Sequence, residues 1–101
     1  ADLKLDFSDP KSETVGTEFT NTSITASGDG SDVSGNWDAV RSGNPHIRNH
    51  SAGRGYIACT ATAATMRADF KILDRVTVQD APIKIGGSLV VEAGRRGSSP
   101  A

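Results

Sequence analysis

A single cysteine, Cys59, removes two classes of small protein from consideration. It cannot form an intrachain disulfide, and a cysteine-built zinc site needs more than one thiolate. Aromatics are scarce, with one Trp, one Tyr and three Phe. Four Leu, six Ile, seven Val and those three Phe are the only strong core formers in 101 residues. Twelve Ala and eleven Gly supply much of the remaining non-polar content, and neither buries much area. The length allows one domain. Small domains bury the smallest share of their surface, so a core this thin implies a chain that leans on a partner. No apolar run approaches the roughly 20 residues that cross a bilayer as a helix. Eleven Lys plus Arg against twelve Asp plus Glu leave a net charge of −1, without the basic field that nucleic acid demands. The chain opens at Ala1 with no charged-then-apolar leader, and the expectation is a processed chain.

What is present reads mostly as β. Residues 1–12 alternate briefly at Leu3, Leu5 and Phe7 before Ser8-Asp9-Pro10 turns the chain. Glu13 to Thr20 suits a strand with Val15, Thr17 and Phe19 on one face, and Thr22 to Ala26 forms a second β-prone piece. Ser27-Gly28-Asp29-Gly30-Ser31-Asp32 is a loop with acids at alternate positions. It is not an EF-hand, because no closing glutamate and no flanking amphipathic helices are present. Asp29, Ser31 or Asp32 is expected to cap a short helix through Val33, Trp37 and Val40, ended by Gly43 ahead of Pro45. Tyr56 to Thr62 and Arg67 to Val78 read as an antiparallel hairpin joined by Ala63-Ala64-Thr65-Met66. After a turn at Asp80-Ala81-Pro82, Ile83 to Val91 is a third strand, bulged at Gly86-Gly87. The polar residues 94–101 are expected to fray.

Groups able to do chemistry are few. His46 and His50 stand four apart, but Pro45 before them and Gly53 and Gly55 after them argue against a shared helix. Two imidazoles fall short of the three or four ligands a metal needs, so loop histidines are the plainer reading. Cys59 lies in the β-prone run IACTA and reads as a small buried hydrophobe. No G-x-S-x-G elbow or phosphate loop occurs. On its residues alone, the chain has no self-sufficient active site.

Several segments, taken together and in order, resemble the PhoD-like alkaline phosphatases and phosphodiesterases. Ala1-Asp2-Leu3 and Asp6-Phe7 lead into Val15-Gly16-Thr17-Glu18-Phe19, Thr22-Ser23-Ile24-Thr25 and Gly28-Asp29-Gly30. Asn44-Pro45-His46-Ile47, Arg54-Gly55-Tyr56-Ile57 and Cys59-Thr60 follow, then Arg67-Ala68-Asp69-Phe70, Ala81-Pro82 and Ser88 to Arg95. Ala63 and Met66 depart from the proline and tryptophan of the family's pattern, as does Lys84-Ile85-Gly86-Gly87 from its Thr/Arg-rich stretch. The resemblance covers nearly the whole chain and implies residues 1–101 as the C-terminal portion of one metallophosphoesterase catalytic domain. In the complete enzyme the implied fold is an α/β/β/α-layered sandwich, this chain alone being mostly β with one short helix.

The family's metal ions, iron and calcium among them, are implied to be bound by a larger catalytic partner chain, since the metal-binding segments lie upstream. The resemblance thus implies a small subunit of a secreted, metal-dependent phosphodiesterase or phosphatase. Its substrate would be a glycerophosphodiester or a phospholipid headgroup ester. Thr22, Ser23 and His46 are the substrate-pocket candidates, each with a competing structural role as turn or loop hydrogen-bonder. The competing class is a free-standing, non-catalytic β-rich binding module.

Overall fold

The longest strands form in the second half of the chain, although residues 14–25 hold its densest run of β-branched and aromatic side chains. A computed structural model describes all 101 residues. In chain order the elements are β1 (Asp2–Lys4), β2 (Thr14–Thr17), β3 (Gly30–Ser31), α1 (Trp37–Gly43), β4 (Ala52–Ala61), β5 (Thr65–Leu73), β6 (Ile83–Glu92) and β7 (Ser99–Pro100). The chain is mostly β with one short helix. β1 and β2 form a two-stranded ribbon, and the other five strands make one antiparallel sheet in the order β3-β4-β5-β6-β7.

Register decides which side chains share a face, because directly opposed residues point the same way. One face carries the rows Ile57–Phe70–Gly87, Cys59–Ala68–Leu89 and Ala61–Met66–Val91. The other carries Tyr56–Lys71–Ile85, Ala58–Asp69–Ser88 and Thr60–Arg67–Val90. Register slips between Phe70 and Lys71, which face Gly87 and Ile85, so Gly86 is the surplus residue of the expected bulge. A methyl group at Gly86 would stand 2.6 Å from Ile72 Cδ1, so any side chain there would force Ile72 to move.

Burial is thin. Ala68 and Leu89 are the only buried apolar residues besides glycine, and five residues in all are buried. Leu5, Phe7, Val15, Ile24, Ile83 and Ile85 are each more than half exposed. The molecule is a slab of 44 × 36 × 18 Å, with a radius of gyration of 14.8 Å. A compact chain of this length has a radius of about 13 Å. Beyond Gly55 the outer edge of β4, Tyr56 to Ala61, has no neighbouring strand, because β3 reaches only Ala52 and Gly53.

Several expectations are corrected here. Thr22 to Ala26 is not a strand. The side chains of Asn21 and Thr22 donate to the carbonyls of Gly55 and Gly53, and Ser23 donates to Ala26, so the segment serves the edge of β4 from its side chains. Phe19 lies past the end of β2 with its ring edge-on to Phe70 at 6.4 Å, while Val15 faces solvent. α1 begins after Asn36 with no side-chain cap, so none of Asp29, Ser31 and Asp32 caps it. Asp29 is used elsewhere: its carboxylate accepts the amides of Val76 (2.8 Å) and Thr77 (3.1 Å). β5 ends at Leu73, short of Val78. The hairpin connection is Thr62-Ala63-Ala64, with the Thr62 hydroxyl accepting the Ala64 and Thr65 amides. Cys59 is exposed, not buried, because nothing covers that end of β4. The tail does not fray: Ser99 and Pro100 pair with Val90 and Leu89, and Ser98 is buried.

Candidate functional site

The turn Asn44-Pro45-His46-Ile47 follows α1 because Asn44 caps the helix and Pro45 cannot continue it. The Asn44 side-chain amide donates to Val40 O (2.7 Å), and the Ile47 amide closes the turn onto Asn44 O (3.1 Å). Pro45 takes the second turn position, for which its fixed φ is suited. The Asp2 amide then donates to His46 O (2.9 Å), fastening the turn to β1. The His46 ring meets Phe7 edge-on, with centroids 4.9 Å apart at 62°. Its nitrogens make no hydrogen bond within the chain.

Two residues on, Arg48 Nε stands 3.1 Å from Asp2 Oδ2. Asp2 is 5% exposed, and its Oδ1 accepts the Ser98 amide (2.8 Å), the Ser98 hydroxyl (2.9 Å) and the Thr17 hydroxyl (3.0 Å). A charge this buried survives because all its partners are present. Gly97, at φ 86°, lets the backbone bring Ser98 onto that carboxylate. His46 and Arg48 open, with Lys4, Arg95 and Arg96, onto a recess of about 490 Å³ whose one hydrophobic wall residue is Phe7.

A second recess, of about 400 Å³, lies where the N-terminal half crosses the sheet, between Thr20, Thr22 and Asn49 on one side and Phe70 and Ile72 on the other. Thr22 lines it with its hydroxyl donated to Gly53 O at 2.5 Å. Ser23 lines neither recess, and its hydroxyl is spent on Ala26 O (2.9 Å). The structure therefore does not bring Thr22, Ser23 and His46 together. His50 lines the second recess with its ring stacked on Trp37 at 4.2 Å, and Nε2 lies 3.0 Å from the Ser34 hydroxyl. The two histidines thus serve different sites. No three of the His, Cys, Asp and Glu side chains converge on a point that would hold a metal ion, so the donor set of this chain does not fit one.

Carboxylates displaced from their ordinary range lie outside both recesses. Asp69 is held low by the Ser88 hydroxyl at 2.5 Å and then by Arg67, on the opposite face of the sheet. Asp29 is held low first by the Val76 amide, and Asp6 by the Ser8 hydroxyl. The proline-braced turn marks His46 in the sequence. Nothing local marks Arg48, whose partner Asp2 is distant in the chain, or the convergence of Lys4 and Arg96.

No family model matches the chain. Over 97 residues, 96% of its length, it is 35% identical to alkaline phosphatase D of Bacillus subtilis (strain 168), of which it covers 17%. The solved structure of PhoD superposes with a TM-score of 0.91 at 34% identity, over 99% of this chain and 19% of that one. The chain thus spans less than a fifth of the length of the relatives it matches. With sequence and fold agreeing over almost every residue, the chain is homologous to a part of alkaline phosphatase D.

Proposed function

We propose that this chain completes the sheet and one pocket wall of a secreted, metal-dependent phosphoester hydrolase, docked as the small partner on a larger catalytic portion that carries the metal ions. The observation that carries the reading is the uncovered slab: a chain homologous to part of a phosphatase buries only five residues of its own. In this reading the sheet is one layer of an α/β/β/α sandwich, and its exposed apolar residues pack on the catalytic portion. The metal ions, iron and calcium among them, lie outside this chain, whose task is to shape and charge the wall beside them. Thr22 and His46 face the recesses that the larger portion closes, while Ser23 braces its own turn through Ala26. The substrate class is a phosphodiester with a small polar headgroup, such as a glycerophosphodiester.

Coexpression with the catalytic portion of a PhoD-type enzyme tests this. The expected result is a stable complex burying on the order of 2,000 Å² or more, with phosphodiester hydrolysis only when both parts are present. The isolated chain is expected to melt without a sharp cooperative transition. A monomer with a sharp two-state melt that adds nothing to hydrolysis would establish a free-standing β-rich binding module instead.

A further inference from the structure

Most surface arginines move freely, but Arg48 is fixed from behind. Its Nε pairs with Asp2, and Asp2 is itself locked by Ser98 and Thr17. The guanidinium is thereby steadied along one edge, and its two terminal nitrogens have no partner in the chain. His46 is braced by Pro45 and Phe7, with both ring nitrogens equally free. Lys4 donates once, to Ser12 O at 3.0 Å, and no carboxylate lies within 4.0 Å of its ammonium. All three open onto the same recess of about 490 Å³.

On this wall itself the cations outnumber the carboxylates, although Glu13 and Glu92 from outside it match two of them. Four cations, Lys4, Arg48, Arg95 and Arg96, line it against the two carboxylates Asp2 and Asp9, in a chain of net charge −1. Arg96 pairs with Glu13 and Arg95 with Glu92, and Asp9 accepts the Lys11 amide. That leaves Arg48, His46 and Lys4 as donors preorganised before any ligand arrives.

We propose that this recess binds a phosphoryl oxyanion, with the Arg48 fork as its main contact and His46 and Lys4 as flanking donors. A planar fork with two free nitrogens matches two oxygens of a phosphate, and the remaining oxygens are left for the flanking donors. A carboxylate has too few oxygens to engage all three, and the recess is larger than one requires. The donors are held in place beforehand, so little ordering is lost on binding. The proposal deepens the phosphoester reading and rests on it for the source of the anion, either the phosphoryl group of an ester or released inorganic phosphate.

The test uses the chain in complex with its catalytic portion, with histidine carrying a carbon-13 label and the His46 signal assigned by His46→Gln. Inorganic phosphate, glycerol 3-phosphate and acetate are titrated in turn. Phosphate or its ester is expected to shift the His46 signal saturably. Arg48→Ala should weaken that binding about tenfold to a hundredfold, the loss of one strong charged contact, and Arg48→Lys should fall between. The tighter of the two phosphates identifies the source. An unmoved His46 signal, equal affinity in Arg48→Ala, or acetate binding as well as phosphate would overturn the proposal. Phosphodiester turnover measured on the same sample separates the two readings. Turnover without Arg48-dependent binding sinks the recess alone, and Arg48-dependent binding without turnover sinks the hydrolase assignment alone.

Discussion

Replacing Asp2 by Ala should free the C-terminal end of the chain. Asp2 Oδ1 is the acceptor for the Ser98 amide at 2.8 Å, the Ser98 hydroxyl at 2.9 Å and the Thr17 hydroxyl at 3.0 Å. Both Asp2 and Ser98 are buried, so water does not readily replace the lost partner. A hydrogen bond to a charged acceptor contributes about 1.5–3 kcal/mol. Taking the lower figure for the two bonds from Ser98 gives about 3 kcal/mol, or about a hundredfold in the local opening equilibrium. Asp2→Asn keeps one acceptor oxygen and should show about a tenfold effect. The assay is amide hydrogen exchange at Ser98 in the assembled protein, where opening of this segment is read without unfolding the whole. Glu13→Ala is the control. It breaks the exposed pair with Arg96 and should leave Ser98 exchange where it was. If Ser98 in Asp2→Ala exchanges within about threefold of the parent rate, the carboxylate is not what holds the segment.

Three further outcomes follow from particular positions. Gly55→Ala drives a methyl group into the carbonyl of Lys71 on the paired strand, so it should cost about 3 kcal/mol or abolish folding, as read by denaturant titration of the assembled protein. Asp29 is held below its ordinary range by the Val76 amide, so its link to the turn is present at neutral pH and is lost as pH falls through that lowered value. Exchange of the Val76 and Thr77 amides should therefore stay slow through the ordinary carboxylate range and accelerate only below it; acceleration at higher pH would show that something other than Asp29 governs the turn. His46→Ala should lower phosphodiester kcat/KM by about a hundredfold if the imidazole transfers a proton, with little change in melting temperature, since only its contact with Phe7 is lost. Unchanged turnover with a lowered melting temperature would make it a packing residue.

The strands of the second half were legible because their signal is local. The β-prone runs Tyr56 to Thr62, Arg67 to Val78 and Ile83 to Val91, bounded by turns, located β4, β5 and β6, and a glycine pair located the bulge opposite Phe70 and Lys71. The failures have a different origin. Thr22 to Ala26 has strand propensity, yet Thr22, Asn21 and Ser23 satisfy distant carbonyls with side-chain donors, which no local pattern encodes. Asp29 looked like a helix cap from its neighbours, but its acceptor oxygens are taken by amides in the 74–78 turn. The tail looked frayed because GRRGSSPA is polar, whereas the carboxylate that orders it lies at the opposite end of the chain. The same holds for the recess: His46 was visible through its proline, and Arg48 was not, because its orienting partner is remote.

The unpaired edge of β4 also governs how the chain can be handled. Tyr56 to Ala61 offers a row of backbone donors and acceptors with no proline, lysine or bulge to interrupt it. Such a row is a template, and a second copy of the same strand fits it as well as any intended neighbour does. On the proposed reading, in which a catalytic portion covers this edge, the isolated chain faces a race between two encounters. Meeting the catalytic portion depends on that partner's abundance, whereas meeting another copy grows with the chain's own concentration. Dilution, or supplying the partner before the edge is exposed, favours the productive encounter, and cooling alone does not close the edge.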